Sequence, residues 1–204
     1  MDVLFDDYPN RMYPYDYDAA FAYEGVFEMV VTNCLTGRAE YMTEIENRQK
    51  VMDIARASSS MPLAAPVVDI DGIPYLDGGI ADSIPIKRAE SLPNQKIVIV
   101  LTREKGYRKS YWSKSRKALF KRTYREYPEF VRTLIERPLR YNRVMDYIDE
   151  QEAAGHIFVI RPTMDQVKRL EKDVEKLEGI YTHGYERMSQ EYEALMAYLS
   201  KEND

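Results

Sequence analysis

The tripeptide Asp77-Gly78-Gly79 is the part of this sequence best equipped for chemistry. It follows Ile73-Pro74-Tyr75-Leu76, a short run that reads as a strand. A carboxylate therefore stands where a strand ends, and two glycines let the backbone turn sharply behind it, because neither carries a Cβ. The same residues also suit a plain turn, since Asp-Gly pairs are common in turns. Other reactive groups are sparse. His156 and His183 stand in no metal-ligand spacing and Cys34 is the single cysteine, so neither a metal site nor a histidine-based triad is expected. Ser58, Ser59 and Ser60 lie together in the small-residue segment Ala57-Ser58-Ser59-Ser60-Met61-Pro62. No glycine in the chain opens a G-x-S-x-G elbow, the turn that would present a serine as nucleophile.

The segment Ala57 to Pro62, followed by Gly72-Ile73-Pro74-Tyr75-Leu76-Asp77-Gly78-Gly79 and by Pro85, resembles the patatin-like phospholipase family. That family has an A-S-x-x-x-P segment, then G-x-x-Y-x-D-G-G, then a proline. The resemblance is most specific over Ala57 to Ile86 and looser elsewhere. It implies an αβα sandwich, hydrolysis of acyl esters of lipids, and no metal or organic cofactor. It also implies a Ser-Asp dyad in which the aspartate is Asp77. Gly78 and Gly79 would place that aspartate, and Ser58, Ser59, Ser60 and Pro62 would shape the floor of the site. Ser83 stands where many relatives have Asn, a departure that leaves Asp77 untouched.

The chemistry of such a dyad sets three requirements. A serine hydroxyl is a poor nucleophile until a base takes its proton. A carboxylate, with a free pKa near ~3.9, serves as that base only in direct hydrogen-bond contact with the hydroxyl. The oxyanion formed on attack needs backbone N–H donors. Only the aspartate is visible here; the serine elbow and a glycine-rich oxyanion loop are both missing. The chain therefore reads as a single patatin-like domain, residues 1–204, incomplete at its N-terminus and inactive alone. The alternative is a stand-alone relative that has lost catalysis and kept a lipid- or protein-binding surface.

The elements that would position these residues follow from periodicity. The first 25 residues, rich in Asp, Tyr and Pro, read as loop or extended structure. Val26 to Cys34 reads as a buried strand. Thr43 and Glu46 form a capping box for a helix with Val51, Ile54 and Ala55 inward, ending in a tight loop at residues 57–62. A short helix is expected from Pro85 to Leu92. Ile97-Val98-Ile99-Val100-Leu101 reads as a strand covered on both faces, the mark of layered α/β folds. Residues 1–102 thus form an α/β core and 103–204 a mainly helical region. There, Pro128 opens a helix with Phe130, Val131, Leu134 and Ile135 inward, and a separate helix spans about Tyr141 to Ala153. Ile157 to Ile160 reads as a strand. Thr163 and Gln166 form a second capping box, and Val167, Leu170, Val174 and Leu177 a helical stripe. After Gly179 a last helix carries Tyr185, Met188, Tyr192, Leu195, Met196 and Leu199 as a core stripe.

The 204 residues suffice for one full core. A 45% apolar and 31% charged composition fits a folded globular protein. The acidic first residues do not resemble a secretory signal and the lone cysteine excludes an internal disulfide, so a cytoplasmic protein is expected. The net charge of −5 conceals a basic block: residues 103–125 hold ten Lys and Arg against one acid. Tyr107, Tyr111, Trp112, Phe120 and Tyr124 are interleaved with them. This pattern suits peripheral membrane contact, and it also suits a solvated helix face with its aromatics packed inward. No nucleic-acid recognition motif is present, and no nucleic-acid partner is expected.

Overall fold

The computed structural model describes residues 3–93, 96–164, 167 and 171–201. A wide, π-type helical segment, Val3–Met12, leads into α1 (Tyr17–Phe21), β1 (Met29–Asn33), β2 (Ala39–Met42), α2 (Arg48–Ser59), β3 (Val68–Ile70) and β4 (Ile73–Asp77). A 3-10 turn, Gly78–Ile80, precedes α3 (Ile86–Ser91), β5 (Val98–Val100), α4 (Lys114–Thr123), α5 (Pro128–Ala153), β6 (Phe158–Ile160) and α6 (Val174–Ser200). Two compact units result. One comprises residues up to Pro85 with Ser110–Tyr141; the other comprises Ile86–Lys109 and the residues from Asn142 onward.

The first unit is built on an antiparallel sheet of order β2-β1-β4-β3. Successive residues of a strand point to opposite faces, and both faces here are apolar. Val31 and Tyr75 pack with Ile54 and Ala57 of α2. Cys34 and Leu76 pack instead with Phe120 of α4 and with Phe130, Val131 and Leu134 of α5. The sheet thus lies between helices, the α/β architecture expected. Each fully buried large side chain, such as Ile54, Leu76 or Phe130, contributes about 1.5–3 kcal/mol.

Several local expectations are corrected in this unit. The segment before residue 25 is helical in part, with Asp16 capping α1 by accepting the Ala19 N–H at 2.9 Å. Val26 and Phe27 are exposed, because β1 gains its ladder partner only from Met29, opposite Met42. The cap of α2 is Asn47, which accepts the Lys50 N–H at 3.0 Å; Glu44 closes the turn before it by accepting the Glu46 and Asn47 N–H groups. On this helix Ala57, three residues after Ile54 and so on the same face, is buried beside Val51 and Ile54, and Ala55 is not. The helix also runs through Ser58 and Ser59 rather than loosening at Ala57.

The two helices expected around residue 140 are one continuous helix, α5, with Pro138 inside it. Proline lacks the N–H that would bond the carbonyl four residues earlier. That carbonyl belongs to Leu134, and it accepts the Trp112 indole N–H at 2.8 Å instead. The helix crosses its proline with this acceptor satisfied.

In the second unit β5 and β6 pair in parallel, Ile99 opposite Val159. Ile99 is buried but Val98 and Val100 are exposed, so β5 is covered on one face and not on both. The Arg161 guanidinium is buried and bonds Asp149 at 3.1 Å and Glu152 at 2.6 Å, while Arg108 bonds Asp146 and Asp149. Burial opposes the charge of Asp149, but the hydrogen bonds from Arg108 and Arg161 outweigh it and hold the carboxyl below its ordinary range. The last helix begins at Val174, capped by Asp173, and passes through Gly179 and Gly184. Its tyrosine and methionine stripe is not core: no residue of α6 is buried. Its contacts with the rest of its unit include Tyr198, whose ring packs on Phe158 and whose hydroxyl donates to the His156 carbonyl at 3.0 Å, and Arg187, whose Nε–H donates to the Arg161 carbonyl at 3.3 Å. Gln166 of the second capping box and Leu170 of the stripe before it lie outside the described residues. Among the described residues no helix is long and apolar enough to cross a membrane.

Candidate functional site

Asp77 is the last residue of β4, half-buried, opposite Val31 of β1. Two hydrogen bonds fix its backbone and one fixes its carboxylate. Its N–H donates to the Ser60 carbonyl at 2.9 Å. Its carbonyl accepts the Thr32 hydroxyl at 2.8 Å, and that fully buried hydroxyl also accepts the Ala81 N–H at 3.2 Å. Oδ1 accepts the Gly79 N–H at 2.7 Å, capping the 3-10 turn behind it. Oδ2 has no hydrogen-bond partner among the described residues, whereas the nearby Asp82 carboxylate is occupied by the Tyr41 hydroxyl at 2.6 Å. The carboxylate is thus oriented through one oxygen and available through the other.

The glycines have separate reasons. A Cβ on Gly78 would lie 2.1 Å from the Val30 carbonyl oxygen, a main-chain atom that cannot yield. This turn therefore crosses β1 only without a side chain. Gly79 offers its N–H to Asp77, and its carbonyl accepts both the Ser83 hydroxyl and, at 2.6 Å, the Arg137 Nε–H. Arg140, one turn later on α5, donates to the Ile80 carbonyl at 3.1 Å. Ser83, where a relative's Asn would stand, therefore helps hold the turn.

The structure brings Ser60 to Asp77, but through its main chain. The Ser60 hydroxyl is fully buried and donates to the Arg56 carbonyl at 2.8 Å. A hydroxyl so placed cannot reach a substrate. Ser58 is half-buried and Ser59 exposed on the last turn of α2; with half-buried Pro62 they lie in the same segment without a hydrogen bond to Asp77. Beyond that proline, Leu63 adopts a left-handed φ of 67° and its N–H donates to the buried Tyr124 hydroxyl at 2.8 Å.

Sequence reasoning missed Thr32, Arg137 and Arg140. The two arginines stand three apart on a helix, which was legible, but nothing in their spacing points to residues 79 and 80. The aromatics of the basic block divide. Within the first unit Phe120 and Tyr124 are core, Trp112 is half-buried and Tyr111 is exposed. Residues 103–109 belong to the second unit. Cys34 is buried, and burial pushes its thiol up to about 12. Among the described residues no three His, Cys, Asp or Glu side chains come together to hold a metal ion. His156 meets Gln151, and His183 accepts the Thr163 N–H.

Residues 36–90 match the patatin-like phospholipase family model, and that stretch carries α2, β3, β4 and the turn after Asp77. Residues 127–200 match a domain of unknown function, DUF6363. The uncharacterized protein YjjU of Escherichia coli (strain K12) is 39% identical over 59 residues, a match spanning 28% of this chain and 16% of that protein. The patatin-like match therefore covers the aspartate-bearing segment and not the chain as a whole.

Proposed function

We propose that this chain supplies the aspartate half of a serine-dependent lipid acyl hydrolase. Asp77 is the base, and a serine on a G-x-S-x-G elbow outside this sequence is the nucleophile. The observation that carries the reading is the asymmetry of the Asp77 carboxylate: Oδ1 is held by the Gly79 N–H at 2.7 Å while Oδ2 is unpartnered among the described residues. A serine hydroxyl donating to Oδ2 would pass its proton there as its oxygen attacks the ester carbonyl. Asp77 would then give that proton to the departing alcohol as the ester C–O bond breaks, leaving an acyl-serine; water, losing a proton to Asp77, would attack the acyl carbon, and the proton would return to the serine oxygen as the carboxylic acid leaves. The patatin-like match over residues 36–90 supports an acyl ester of a lipid as the substrate class.

The test is hydrolysis of a short-chain p-nitrophenyl ester. The 204-residue chain is expected to be inactive, with or without Asp77→Asn. Joined to a segment bearing the elbow, it should hydrolyse the ester, and Asp77→Asn should lower kcat by roughly a thousandfold or more while leaving the fold intact. Undiminished activity of that variant would reject the assignment. Activity of the chain alone that vanishes in the variant would place the nucleophile within these residues.

A further inference from the structure

Between α4 and the first turns of α5, within the first unit, lies an open cavity of about 500 Å³. That volume is typical of small-molecule sites, which span roughly 300–1,000 Å³. Its walls are mainly apolar, formed by Tyr124, Val131 and Ile135, with Pro128 at one end. Lys121, Arg125 and Arg132 line it against a single acid, Glu136. Glu129 pairs with Arg132 at 2.6 Å, and Glu136 with Arg140 at 3.6 Å. Among the described residues Lys121 and Arg125 have no carboxylate partner within 4.0 Å. Lys121 and Arg125 are exposed at the rim of this apolar trough and within reach of an anion, which suits a ligand with a hydrocarbon body and an anionic head.

We propose that this cavity is a binding site for a single-chain anionic amphiphile, its alkyl chain against Tyr124, Val131 and Ile135 and its carboxylate or phosphate at Lys121 and Arg125. Arginine matches such heads in a bidentate fork, and lysine adds a point charge. A neutral chain would leave the cations unpaired; a bare anion would leave the apolar walls in water. The site stands whether or not Asp77 is catalytic.

Displacement of a dansyl-labelled undecanoate from the 204-residue chain, below micellar concentrations, tests it. Dodecanoate and dodecyl phosphate should displace the probe, and the stronger of the two identifies the head. Dodecanol and inorganic phosphate should be about tenfold weaker or worse. The double variant Lys121→Ala, Arg125→Ala should bind about tenfold more weakly with unchanged far-UV circular dichroism. Absence of saturable binding would overturn the proposal. So would dodecanol or free phosphate matching dodecanoate, or a folded double variant that binds undiminished. If the variant does not fold, the head-group series on the unaltered chain decides.

Discussion

Arg137 on α5 donates its Nε–H to the Gly79 carbonyl at 2.6 Å, so the turn behind Asp77 is held from a helix almost sixty residues away in sequence. The contact is charge-assisted, and removing such a bond costs about 1.5–3 kcal/mol. Arg137→Met keeps the aliphatic stem and deletes the donors. It should lower the urea midpoint accordingly, with Arg137→Lys in between. An unchanged midpoint in both would show that Ser83 alone holds the Gly79 carbonyl.

The indole of Trp112 substitutes for the N–H that Pro138 lacks. Trp112→Phe retains most of the packing against Phe120, which meets the indole edge-on with ring centroids 5.3 Å apart. It leaves the Leu134 carbonyl unsatisfied in a buried stretch, at a cost of about 1–3 kcal/mol. Pairing it with Pro138→Ala, which restores the N–H, should recover most of the loss. Denaturant unfolding of the two single variants and the double variant measures this coupling.

Cys34 makes a pH-dependent contribution whose sign is fixed by burial. Its folded thiol titrates at about 12, above its ordinary 9.0, so the native state holds the proton that the unfolded chain gives up. The contribution is intact below about pH 9 and is lost as pH rises from there towards 12, at up to about 1.4 kcal/mol per pH unit. Tyr75 and Tyr124, whose hydroxyls burial also pushes up, add to the same alkaline loss above their ordinary 10.0. Cys34→Ala should flatten the fall in stability between pH 9 and 10. Thiol labelling of the native protein should be slow at pH 8 and rapid in denaturant.

The exposed stripe of α6 predicts the opposite of a core. Tyr185→Ser and Tyr192→Ser should each change stability by no more than about 0.5 kcal/mol, the range for surface positions. A loss of ~3 kcal/mol or more, as for truncating a buried aromatic, would mean the stripe is covered in solution. Thermal melts of the two variants beside Phe130→Ala, at a fully buried ring, give the comparison.

The strand that ends at Asp77, the glycines behind it, the inward face of α5 at Phe130, Val131 and Leu134, and the α/β class were all legible along the chain. These follow from local rules: alternation along a strand, a 3.6-residue stripe, and a turn that excludes Cβ atoms. The rest depended on packing between distant segments. Whether a periodic stripe is covered depends on what packs over it, and so α5 is buried while α6 is not. Pro138 ends no helix because a distant indole supplies its missing hydrogen bond. Ser60 meets Asp77 with a carbonyl rather than a hydroxyl, and Arg137 reaches Gly79, because the antiparallel sheet and the helices on its two faces bring them together. Sequence spacing records neighbours along the chain, whereas hydrogen bonds and burial are set by neighbours in space.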